Sequence, residues 1–239
     1  MKKWQTLLLA GSLSLAQIAQ ATPILRIFEM QLDTTHLTEF QQVGQHNIKT
    51  SITNEKGTLA MYSAQLADNP QTQYVLEIYQ DDNAYQIHRR SPQFLNYLAL
   101  AKKAVKPKQI WETAPQFIVE RADLAELLQA KGVLVKFAKI TVKPEHNQAF
   151  RQIVLNEMQQ TMANEAGVLA MYAVTNAEQA NQWLFFELYR NADAYQQHRQ
   201  TAWFQDYLSQ TKSMLSDKQL FELTPNTLGS KGNLTFIQQ

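Results

Sequence analysis

Two histidines of this chain recur in matching surroundings. His88 lies in Ala84-Tyr85-Gln86-Ile87-His88-Arg89 and His198 in Ala194-Tyr195-Gln196-Gln197-His198-Arg199, 110 residues further on; His36 and His146 also stand at that offset but in unlike flanks, and His46 has no counterpart. Imidazole titrates near neutral pH, so a helical histidine can take the proton of an acidic hydroxyl. The plainer reading is that each packs at a sheet–helix seam and bonds a backbone carbonyl. Tyr62 and Tyr172, and Tyr79 and Tyr189, obey the same offset; their phenols could hold a substrate oxygen or simply pack as core aromatics. Asn47, Thr50, Ser51 and Asn54 form a polar stripe at helical spacing that either walls a pocket or faces water. Glu77 and Glu187 sit among apolar strand residues, where a buried carboxylate needs a partner, and Arg26 or Arg89 is the expected one for Glu77. The candidate catalytic residues are therefore His88 and His198. The candidate substrate-binding residues are Asn47, Ser51, Tyr62, Tyr79, Tyr172 and Tyr189.

The elements that carry these residues repeat as well. Gly57-Thr58-Leu59-Ala60-Met61-Tyr62 returns as Gly167-Val168-Leu169-Ala170-Met171-Tyr172, and Glu77-Ile78-Tyr79 returns as Glu187-Leu188-Tyr189, without a gap. A period of this length is a duplicated domain rather than a solenoid unit. The expected divisions are 22–115 and 133–225 for the two copies, 116–132 for a connecting segment with a short helix over 121–130, and 226–239 for a tail. Gly132 stands where a C-terminal cap would end that helix. Within the first copy, alternation over 24–32 predicts a strand and helical spacing over 35–54 a helix capped by Thr34 or Thr35. Residues 59–66 and 74–79 read as strands around an Asp-Asn-Pro-Gln turn, 82–103 as a second helix, and 110–113 as a short last strand. Gly57 and Gly167 are expected to serve the helix-to-strand turn. The order β-α-β-β-α-β is ferredoxin-like, so the fold class is α+β. One such sheet leaves a face uncovered, and two copies in one chain can cover each other as an intramolecular pseudo-dimer packed sheet to sheet. Trp183 and Trp203 replace Gln73 and Gln93 in the second copy only and are expected to fill the seam between copies.

Composition narrows the function classes. Twenty-two Lys and Arg against 21 Asp and Glu leave a formal charge of +1, which argues against nucleic acid or an anionic membrane as main partner. The densest basic cluster, Lys102, Lys103, Lys106 and Lys108, reads as the solvated end of a helix in preference to an anion site. With no cysteine in the chain, disulfides and thiolate chemistry are excluded. No nucleotide-binding glycine loop and no H-x-x-x-H pair occurs, so neither a nucleotide nor a metal is expected. Lys2 and Lys3, an apolar run over 7–16 and Ala19-Gln20-Ala21 together read as a cleaved export signal over 1–21, with a mature chain from Thr22 in the periplasm and no membrane anchor.

Asn54-Glu55-x-Gly57-x-Leu59-x-x-Tyr62, then Glu77-x-Tyr79, then Ala84-x-x-x-His88, with the matching second set through Glu165, Gly167, Tyr172, Glu187, Tyr189 and His198, resembles the antibiotic biosynthesis monooxygenase family of dimeric α/β barrels. The resemblance covers nearly all of the chain after residue 21. It implies a barrel normally made by two identical chains, here made by one, with further assembly left open. The best-studied members of that family oxidise polyphenols or hydroquinones with O2 and no cofactor. Haem-degrading relatives carry an iron-ligating His late in the second helix, where this chain has Tyr97-Leu98-Ala99 and Tyr207-Leu208-Ser209, so haem chemistry is not expected. The leading expectation is an exported, cofactor-free monooxygenase of an aromatic hydroquinone. Its rivals are a non-catalytic small-molecule-binding or stress module, and a duplicate whose pocket has closed.

Overall fold

The computed structural model describes residues 22–238; the export signal read at 1–21 lies outside them. Each copy builds one half of a closed antiparallel barrel. In the first, strand β1 (Ile24–Leu32) leads to α1 (Leu37–Asn54), the hairpin β2 (Thr58–Leu66) and β3 (Asn69–Tyr79), helices α2 (Asp82–Arg89) and α3 (Pro92–Ala104), and β4 (Val105–Glu120). After a short α4 (Leu124–Leu127), the second supplies β5 (Leu134–Val142), α5 (Asn147–Asn164), β6 (Val168–Asn176), β7 (Gln182–Tyr189), α6 (Ala192–Gln200), α7 (Ala202–Thr211) and β8 (Leu215–Ser230), with β9 (Thr235–Ile237) as a last short strand. The helix expected over 82–103 breaks where Pro92 begins α3 and Ser91 caps it by accepting from the Phe94 N–H. Thr201 repeats that cap at Phe204. The turn before α1 is capped by Asp33, which accepts from Thr35 N–H, rather than by Thr34 or Thr35.

The expected pseudo-dimer closes by strand sharing. The circuit is β1-β3-β2-β8-β5-β7-β6-β4, closed by the β4–β1 pairing. The last strand, expected only over 110–113, is sixteen residues long in each copy. Its first part pairs with its own copy's opening strand, Ile27 opposite Trp111, and its second part crosses to the other copy, Ile118 opposite Tyr172. β8 does the same, pairing with β5 and then with β2. Hence 116–120 and 226–230, expected as connector and tail, are barrel staves. Crossing gives the inner strands of both halves a hydrogen-bonding neighbour, so the circuit has no free edge.

Strand alternation sorts the apolar residues into three cores. Leu25, Ile27, Leu76, Ile78, Val135 and Phe137 face into the barrel, where side chains fill an eight-stranded interior. Met30, Leu32 and Val75 face the helices of the first half, packing with Phe40 of α1 and Tyr97 of α3. Phe150, Val154, Met171, Trp183 and Phe185 are their second-half counterparts. Trp183 packs there on Phe150 and Phe185 and donates to Asn147 Oδ1, so it fills the second half's own core and not the seam.

Residues 110 apart meet directly along the pseudo-two-fold. The Tyr62 and Tyr172 hydroxyls are 2.7 Å apart, Ser230 Oγ donates to Glu120 at 2.9 Å, and Lys139 Nζ donates to Glu29 at 2.7 Å. A homodimer would place Glu29 against Glu29 and Glu120 against Glu120. Duplication within one chain has let each equivalent pair become complementary instead.

Candidate functional site

Each half positions a histidine by the same local device. α2 starts at Asp81, whose carboxylate accepts from Ala84 N–H, and α6 starts at Asn191, which accepts from Ala194 N–H. Gly57 has no left-handed backbone. Its reason is contact: a Cβ there would lie 2.4 Å from Ala84 Cβ, and one at Gly167 would lie 2.6 Å from Ala194 Cβ. That close approach presses the helix-to-strand turn onto the second helix and carries Glu55, the residue after α1, onto His88. The Glu-x-Gly spacing is therefore part of the site.

His88 is fully buried, and its Nδ1 lies 3.0 and 3.2 Å from the two Glu55 oxygens and 3.3 Å from Ser51 Oγ. Gln93 and Thr58 donate to the same carboxylate. In the second half His198 Nδ1 lies 3.1 and 3.2 Å from Glu165, and Trp203 Nε1 donates to Glu165 Oε1 at 2.7 Å. Trp203 thus does what Gln93 does, and does not fill the seam. Burial, the largest single influence, raises the Glu55 and Glu165 carboxyls, but the imidazole hydrogen bonds and charges together with hydrogen bonds from Thr58 and Ser51, or from Trp203 and Thr161, outweigh it and both end below the usual range. For His198, burial works to lower the pKa, and the Glu165 hydrogen bond with the charges of Glu187, Glu157 and Glu165 overcomes it, leaving it raised. Each imidazole bonds a carboxylate, a partner the sequence reading did not assign.

The Nε2 atoms face differently in the two halves. His198 Nε2 is 3.9 Å from Glu157 Oε1, whereas Asn47 takes the place of Glu157 in the first half. His88 Nε2, His198 Nε2 and Asn47 Oδ1 are all buried with no hydrogen-bond partner among the described residues. Burial pushes the Glu157 carboxyl up to about 7.

Between sheet and helices of the first half lies a cavity of about 440 Å3, bounded by Phe28, Met30 and Val75 from the strands and Phe94, Tyr97 and Leu98 from α3. Glu77 enters it from β3 and is its only carboxylate. Tyr79 OH donates to Glu77 at 2.8 Å, and burial raises the Glu77 carboxyl. The expected Arg26–Glu77 pair is absent among the described residues: Arg26 bonds Glu112 at 2.6 Å and the Tyr85 hydroxyl at 2.9 Å. The corresponding cavity of the second half holds about 80 Å3. Phe185 stands there for Val75 and Val154 for Gly44, and the larger side chains occupy the space.

Neither histidine lines either cavity. Phe94, a wall residue, packs tilted against the His88 ring at 4.8 Å between centroids, and Phe204 does so against His198 at 4.4 Å. Ser51 joins the His88 cluster, Asn47 is buried on the same face of α1, and Tyr79 and Tyr189 sit over their histidines at 5.5 Å. Tyr62 and Tyr172, read as substrate-binding, belong elsewhere. They point into the barrel, where Tyr172 donates to Glu120 at 2.6 Å and Tyr62 at 3.2 Å, because strand alternation turns them away from the helices. Glu77 was read from sequence only as half of an ion pair; its place two residues from Val75, on the same side of the strand, was the available signal.

The family model for antibiotic biosynthesis monooxygenase matches the chain twice, over 23–100 and 133–210. No curated protein matches the sequence significantly. A candidate monooxygenase from Fusobacterium nucleatum has 26% identity over 92% of this chain and 99% of its own, with a TM-score of 0.86. One from Lactobacillus acidophilus has 24% identity over 90% and 99%, with a TM-score of 0.84. An anthrone oxidase-like protein shares the fold at 10% identity, over 88% and 94%, with a TM-score of 0.53.

Proposed function

We propose, for a chain that belongs to the antibiotic biosynthesis monooxygenase family, that the first half binds an aromatic hydroquinone and the protein catalyses its oxygenation by O2 without a cofactor. The observation that carries this reading is the apolar first-half cavity with one buried carboxylate in its wall. Its size falls in the range of about 300–1,000 Å3 usual for small-molecule sites. The second-half cavity is smaller than the roughly 150 Å3 that accommodates benzene.

Glu77 would take the phenolic proton, since it is the base that meets the ligand and its raised pKa brings it closer to that of a phenol. The phenolate gives an electron to O2 more readily than the phenol does. One oxygen atom then enters the ring and the other leaves as water, so hydroquinone and O2 become hydroxyquinone and water. All four electrons come from the substrate. His88 acts from behind the wall as a positioning residue, held by Glu55 and packed against the wall residue Phe94. The cofactor-free reading rests on the family resemblance and on this reducing power. The export signal supports placing the reaction in the periplasm.

The test is O2 uptake by purified protein given methylhydroquinone, against the autoxidation blank. Glu77→Gln keeps the shape and removes the base, and the rate above the blank should fall by roughly 10²-fold or more with the fold intact by circular dichroism. Wild-type protein that binds the quinol and never exceeds the blank would leave a binding module as the function.

A further inference from the structure

The lysine cluster at the end of α3 lies at the mouth of the proposed substrate cavity. Lys102 lines that cavity. Just past Val105, which borders both, is a second depression of about 340 Å3, lined by Lys103 and Lys106 with Gln31, Thr34 and Gln71. The two depressions differ in kind: the first is almost wholly apolar, whereas about half of the second is polar. All three lysines are exposed, and their ammonium groups make no hydrogen bond or ion pair among the described residues. The carboxylate that lines the second depression, Asp33, accepts from the Thr35 N–H and hydroxyl and also feels the Lys106 charge at longer range. Lys108 is committed to Glu29 at 3.8 Å.

The same stretch of the second half carries Lys212, Ser213, Ser216 and Lys218. Only the half with the larger cavity has the dense basic rim. A solvated helix end accounts for Lys102 and Lys103 in the last turn of α3, where cations suit the helix dipole. It does not account for Lys106 on the following strand, nor for the polar depression beside it.

We infer that the substrate is an aromatic acid: a flat apolar ring system that fills the cavity down to Glu77, joined to an anionic carboxylate arm that crosses Val105 and lies among Lys102, Lys103 and Lys106. The arm fixes which end of the ring system faces Glu77. This inference rests on the first-half cavity being the ligand site, as proposed above.

Calorimetric titration of the full chain under nitrogen separates binding from turnover. Methylhydroquinone is the neutral probe and 2,5-dihydroxyphenylacetate the acidic one. The acid should bind about tenfold or more tightly than the neutral quinol at low salt, the order expected of two or three unpaired charges near a surface, and added salt should erode the advantage. Lys103→Glu combined with Lys106→Glu, neither of which lines the ring cavity, should abolish the preference while leaving methylhydroquinone affinity within about twofold; Lys212→Glu should change neither. Equal affinity for acid and neutral quinol, or a preference that survives the double variant, overturns the inference and leaves the oxygenase reading standing. Acid-selective binding without O2 uptake in air leaves the inference and sinks the oxygenase.

Discussion

Glu157→Gln probes the electrostatics that separate the two halves. Glu157 is 4% exposed, faces the small second cavity and has its carboxyl raised from 4.5 to about 7. Burial is the main cause; the hydrogen bond from Thr161 and the charge of His198 only partly offset it. Between pH 4.5 and 7 the folded chain therefore holds a proton that the unfolded chain has released. Stability falls as pH rises through that window, by 1.36 kcal/mol for each unit of difference, or about 3 kcal/mol in all. His198, also raised, adds in the same direction: its contribution is complete below its unfolded value and is lost as pH rises through its folded one. Glu165, lowered, contributes above its unfolded value and loses that contribution only as the solution becomes more acid. A glutamine amide cannot ionise, so the variant lacks the largest of these penalties. Guanidinium unfolding at about pH 5 and pH 8.5 should show the wild type losing about 3 kcal/mol relative to the variant across that interval. In a domain pair of this size that is a relative Tm shift of roughly 6–12 °C. Parallel stability curves for the two proteins would refute the claim that Glu157 is a buried, proton-holding acid.

Val75→Phe places in the first half the ring that Phe185 supplies in the second. Because the cavity can take the added volume, stability should change by less than about 1.5 kcal/mol, whereas calorimetric affinity for methylhydroquinone should fall at least about tenfold, since the ring would fill space the ligand needs; unchanged affinity would show that the quinol binds elsewhere. For export, intact mass of protein recovered from a bacterial periplasm should match a chain starting at Thr22 with no lipid attached. Recovery in the cytoplasm with residues 1–21 retained would overturn the localisation.

The 110-residue offset determined the duplication, the α+β class and the order of elements, because a period-2 strand and a 3.6-period helix each leave a local mark on sequence. It also kept His88 in step with His198 and Glu55 with Glu165, which is visible without any fold; that each imidazole bonds its carboxylate was not. The barrel's closure was not legible in that way. Whether a strand stops at Thr113 or runs on to Glu120 depends on β6 waiting to accept its hydrogen bonds, and β6 lies in the other copy. The destinations of the tyrosines needed the fold too: Tyr62 and Tyr79 look alike in a motif, yet pleat and register send one into the barrel beside Tyr172 and the other onto His88. The same holds for Gly57, whose reason is Ala84 on another element, and for the lysines of α3, which became the rim of a cavity only once Val105 and β1 were in place. Sequence spacing fixes what a residue can do locally. Which groups it meets is decided by long-range pairing, and for this protein that pairing put Glu77 in the cavity wall and His88 behind it.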